Sequence, residues 1–69
     1  MTKHKRNMIA GSVQDAREWL GCSRIHLLAE KDNLALANLN MAIASLLRVQ
    51  TTLSEELMSK MLKAGLKHN

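Results

Sequence analysis

Residues 15–28, DAREWLGCSRIHLL, decide the fold, because Gly21 at their centre can be read in two ways. As a turn residue it separates two short helices. As a helix residue it sits inside one amphipathic rod, at a cost of about 1 kcal/mol relative to alanine. The surrounding spacing favours the rod. Val13, Ala16, Leu20, Ser23 and Leu27 recur at alternating steps of three and four, which traces a single stripe along a continuous helix. Trp19 flanks that stripe, and Ile25 and Leu28 fall off it, which predicts a second buried face.

Working outward, Ser12 with Asp15 three residues on has the spacing of a capping box and predicts a helix start near residue 12. Residues 1–10 show no periodicity and read as a flexible basic arm, leaving residues 11–69 as a single helical-hairpin domain. On the other side, EKDN at 30–33 is the clearest break, with Asp32 or Asn33 able to cap a second helix. So short a connection makes the two helices antiparallel neighbours.

The second helix is expected over about 34–64, with Leu39, Ile43, Leu46, Leu53 and Leu57 core-facing, Ala64 further on, and Gln50 and Lys60 interrupting the register. Alanines at 35, 37, 42 and 44 would let two helices approach closely. Gly65 reads as a C-terminal stop, after which Leu66 folds back on Met61. Thr52 and Glu55 also have capping-box spacing, so a break near 51–54 is the alternative to a continuous rod. A continuous second helix is roughly 46 Å long at 1.5 Å per residue, and the first only a little over half that. The excess carries Leu53, Leu57, Met58, Met61 and Leu62, which need a second copy of the chain or another protein to cover them.

Bulk properties agree. A chain of 69 residues holds one domain, and a core this small supplies only about 3–5 kcal/mol. Cys22 is the only cysteine, so no intrachain disulfide helps, and a lone thiol suits a reducing cytoplasm. With no Pro, Phe or Tyr and an abundance of Leu, Ala, Met and Ile, the composition is that of an all-α protein. The expectation is therefore an antiparallel two-helix hairpin that dimerises into a four-helix bundle through Leu39, Ile43, Leu46, Leu53, Leu57 and Met61. No stretch is long and apolar enough to span a bilayer, since Asn38, Asn40 and Ser45 interrupt the best one.

Chemistry-bearing patterns are sparse. Glu18, Cys22 and His26 are spaced four apart and share a helical face, but a metal would need a fourth group. There is no glycine-rich phosphate loop and no nucleophile–base pair. The reading is non-enzymatic, with no cofactor and no metal. Met41, Met58 and Met61 suit an adaptable protein-binding surface, and Trp19, with Ile25, Leu28 and Met58, is the candidate contact for a further partner. Net charge is +4 and concentrated at the ends: Lys3, Lys5 and Arg6, then Lys60, Lys63 and Lys67.

Two resemblances add to this. SVQDAREWLGCSRIHLL, residues 12–28, resembles the excisionase-like helix–turn–helix family at Ser12, Val13, Asp15, Ala16, Leu20, Gly21, Cys22, Ser23, Arg24 and Leu27. That resemblance implies a turn at Gly21, Ser23 capping a recognition helix, and DNA contacts from Lys3, Lys5, Arg6, Arg24 and His26. Arg17 and Glu30 depart from its pattern, because they fall where that family buries small or apolar residues, and an unpaired buried charge costs several kcal/mol. In size and layout, AREWLGCSRIHLLAE followed by a Leu/Ala-rich helix also resembles the small helical accessory proteins of the early exo–xis region of lambdoid phages. This implies a cytoplasmic regulator in an infected bacterium, acting by contact with a host or viral protein.

Overall fold

Gly21 lies inside an unbroken helix. The computed structural model describes residues 1–67 and contains two helices, α1 over Lys3–Leu28 and α2 over Asp32–Lys67, joined by Ala29–Lys31 into an antiparallel hairpin. The chain is thus all-α, as its composition and periodicity require. No glycine among the described residues has a positive φ. The turn implied at Gly21 is absent, and Arg17 and Glu30 both stay exposed, which avoids the charge burial such a turn would demand.

Two boundaries differ from expectation, the start of α1 and the end of α2, while the continuous second helix is as expected. Residues 3–10 are helix rather than a flexible arm: Thr2 caps α1, its hydroxyl accepting from the Lys5 amide at 3.1 Å. Ser12 is no cap, since it lies mid-helix and donates back to the Met8 carbonyl. Thr52 behaves in the same way, donating to the Arg48 carbonyl at 2.9 Å, so α2 runs through 51–54 without a break. α2 also continues past Gly65, which therefore does not stop it. The expected contact of Leu66 with Met61 lies outside the described side chains.

The turn is set by Glu30. Its φ of 61° places it in the left-handed region. The Lys31 amide donates to the His26 carbonyl at 2.8 Å and the Glu30 amide to the Leu27 carbonyl at 3.1 Å. This nested pair closes α1 as a Schellman motif, with glutamate where glycine is usual. Four residues beyond Lys31, the Ala35 amide donates to the Lys31 carbonyl and α2 is under way, with Asp32 in its first turn at the positive end of the dipole.

The seam between the helices follows a seven-residue repeat. On α1 the buried or half-buried positions are Ile9, Ser12, Ala16, Trp19, Ser23 and His26; on α2 they are Ala35, Asn38, Ala42, Ser45, Val49, Thr52 and Glu56. Steps of three and four on both helices are the register of a left-handed antiparallel pair. These side chains are nearly all small or polar. The fully enclosed residues are Ala16, Ala35 and Ala42, together with Ser23, and no large side chain is completely buried. Ser23 reaches the facing backbone directly, its Oγ donating to the Ala35 carbonyl at 2.8 Å, and His26 Nδ1 meets Asn38 Oδ1 at 2.6 Å.

The enclosed positions are alanine and serine, the larger seam residues Ile9, Trp19 and Val49 are only half-buried, and no leucine falls in the seam. Leu39, Ile43, Leu46, Leu53 and Leu57, expected to face the core, instead lie on the outside of the pair and are between 38 and 62 % exposed. The molecule measures 59 × 19 × 12 Å. Its least dimension is about one helix diameter, so the hairpin is a single layer with nothing behind its broad faces.

Candidate interaction surface

Heptad geometry sorts the outward residues into two unlike flanks. On α1, Val13, Leu20 and Leu27 recur every seven residues, each four after a seam position; on α2, Leu39, Leu46 and Leu53 do the same. In an antiparallel pair those positions share one side. Leu27 and Leu39 line one shallow concavity with Leu36, and Leu53 sits against Arg6, Ile9 and Ala10 of α1. Leu36, Ile43 and Leu57, one step further round α2, widen this apolar flank, and Arg17 and Arg24 border it on α1 by the same heptad count. The opposite flank carries Asp15, Cys22, Arg48 and Glu55 beside Met8 and Met41, and its groove is lined by Lys5, Met8, Ile9, Ser12, Arg48, Val49 and Thr52. One flank is therefore largely apolar, interrupted by Gln50, and the other mixes apolar with charged residues.

Beyond α1, the apolar surface continues on α2 alone. α2 is 36 residues long against 26 for α1, an overhang of roughly 15 Å. Because α1 begins at Lys3, the overhang starts near Leu57, and Leu53 lies alongside α1 rather than in the excess. Ser54, Leu57, Met58, Met61 and Leu62 form an open apolar depression there, with each of the last four more than 60 % exposed.

The overhang end of the hairpin is also its basic end. Folding back brings Lys3, Lys5 and Arg6 to the same end of the hairpin as Lys60 and Lys63, which lie on the overhang. Lys5 Nζ is paired with Glu56 Oε1 across the hairpin. That hydrogen bond holds the Glu56 carboxyl below its ordinary range, against a smaller opposing push from burial; the charges of Lys5, the N-terminus and Lys60 act in the same direction as the bond.

The residues expected to act together do so only in part. Leu39, Ile43, Leu46, Leu53, Leu57 and Met61 all lie on outward-facing surface of α2. Ile25, Leu28 and Met58 are strongly exposed, whereas Trp19 is half-buried in the seam and does not join them. Of the DNA-contact candidates, Lys3, Lys5 and Arg6 are separated from Arg24 by roughly 27–32 Å along α1, and His26 is turned inward onto Asn38. Among the described residues no three His, Cys, Asp or Glu side chains gather as a metal site, and no helix is long and apolar enough to cross a membrane. Compared with family models, with curated proteins and with solved structures, the chain matches none.

Proposed function

We propose that this chain is a non-enzymatic regulatory or accessory protein that works through protein contacts, its first partner being a second copy of itself. The apolar flank carries this reading. A compact 7.7 kDa monomer exposes about 4,300 Å², whereas this chain exposes 5792 Å². The excess, roughly 1,500 Å², exceeds the ~800 Å² that one partner contributes to an interface of standard size. Two hairpins joined flank to flank would make a four-helix assembly with the leucines inside. Ile25, Leu28 and Met58, further round their helices, would remain for a host or viral protein, the partner implied by the phage-like layout.

Light scattering at micromolar concentration tests the reading. Twice the chain mass is expected, and Leu46→Asp or Leu57→Asp should give monomers or unfolded chains. A stable wild-type monomer would refute it.

The gathering of Lys3, Lys5, Arg6, Lys60 and Lys63 at one end favours a second activity, nonspecific attraction to nucleic acid. Binding to duplex DNA that falls steeply with salt and disappears when residues 1–6 are removed would support it. Specific binding lost in Arg24→Ala would instead support the helix–turn–helix reading.

A further inference from the structure

We propose that the second copy binds antiparallel, α2 against α2, about a two-fold axis at Gln50. This rests on the dimer reading above and specifies its geometry. Gln50 stands at the midpoint of α2, with 18 residues before it and 17 after it in Asp32–Lys67. It is also the polar interruption at the centre of the apolar stripe. Four residues of the stripe are symmetric about it: Ile43 and Leu57 lie seven residues either side, and Leu39 and Met61 lie eleven either side, whereas Leu46 mirrors Ser54 and Leu53 mirrors Leu47. At 100° per residue the four symmetric residues fall within about 20° of Gln50 on the helix surface. An antiparallel copy centred there sets Ile43 against the partner's Leu57 and Leu39 against the partner's Met61, and leaves no overhang on either chain.

The same arrangement occupies the surfaces the monomer leaves open. The overhanging end of one α2 enters the concavity that Leu27 and Leu39 line on the other hairpin. The two glutamine amides meet at the axis, each able to donate to the other's carbonyl oxygen, and any shifted register leaves both without that partner. A single polar residue in an apolar helix seam fixes register in this way. Charge selects the direction. A parallel pair would stack two basic ends, whereas the antiparallel pair puts them at opposite ends, bringing the lysines of each overhang toward the partner's turn, where Glu30 and Asp32 outweigh Lys31.

Disulfide trapping tests this in a Cys22→Ser background, which removes the exposed native thiol. Gln50→Cys should link to itself. Ile43→Cys mixed with Leu57→Cys should give the crossed product in about tenfold excess over either variant alone. Adding Gln50→Leu to each member of the mixed pair should keep the dimer but lose that excess. Circular dichroism checks that each variant remains helical. Self-linking of Leu57→Cys would show a parallel pair and overturn the arrangement. A dimer by light scattering that links at none of these sites would overturn the axis while leaving the dimer. A monomer would overturn both. An unchanged crossed excess in Gln50→Leu would remove the role given to the glutamine.

Discussion

Ser23 donates its hydroxyl to the main-chain carbonyl of Ala35 on the facing helix, at 2.8 Å. A side chain only two heavy atoms long can touch the opposite backbone only where the helices are very close, so this bond marks a point of close approach in the seam. Ser23→Ala preserves that proximity and is expected to cost about 1 kcal/mol, the net worth of one hydrogen bond. Ser23→Leu inserts bulk where none fits and should cost more, on the order of 1–3 kcal/mol. Urea unfolding followed by circular dichroism should rank them wild type, alanine, leucine. A leucine variant as stable as the alanine variant would show that the seam is looser than described.

Gly21→Ala provides a direct check on the first helix. An added Cβ at this position meets nothing within 4 Å, and the backbone is helical. The substitution is expected to raise stability by about 0.5–1 kcal/mol by lowering the entropy of the unfolded chain. A drop in thermal midpoint would indicate that the chain bends here after all.

Glu30→Gly should also stabilise, for the opposite reason. Here the native residue holds a left-handed conformation that costs an L-residue roughly 1–2 kcal/mol, and glycine adopts it freely. Its own greater entropy in the unfolded chain offsets part of the gain, so about 0.5–1 kcal/mol is expected. Glu30→Val, β-branched, should destabilise. Both are read from thermal denaturation.

The bond between Lys5 and Glu56 gives the hairpin an acid-sensitive fastening at its open end. Glu56 has its pKa lowered in the folded chain below the ordinary value of 4.5. Its contribution is therefore fully present above that value and is lost as pH falls through the folded value. Lys5→Met is expected to lower the thermal midpoint slightly at neutral pH and to make no difference once the carboxyl is protonated. The pair is partly open to water and should weaken with salt. A deficit that persists unchanged into acid would assign the effect to lost packing of the lysine stem instead.

The helices and their antiparallel pairing were legible because three–four periodicity and the EKDN break are strong local signals. Leu20 and Leu27 correctly marked one stripe across Gly21. What hydropathy hid was the direction each stripe faces. Leucines at 39, 43, 46 and 53 would ordinarily mark the contact between two helices, yet alanine, serine and asparagine fill it here. The seven-residue recurrence of Ala16 with Ser23, and of Ala35 with Ala42, was the available clue. The alanines had suggested close approach without revealing that it would turn the leucines outward. Ser12 misdirects for a related reason: a hydroxyl can cap a helix or bond to the preceding turn, and spacing alone does not distinguish the two, which is also why Thr52 leaves a break as the alternative to the continuous rod. The apolar flank could not be found by reading either helix alone, because Leu27 and Leu39 become neighbours only once the turn at Glu30 has set the register.

A fastening made of methyl and hydroxyl groups has a consequence for how much of the protein must be present. With so little enclosed bulk between its two rods, a solitary molecule gains little from closing, and in the dimer proposed above each copy would supply the burial the other lacks. On that proposal, dilution should lower the stability of the chain, and scarce copies would be more open to proteases than abundant ones.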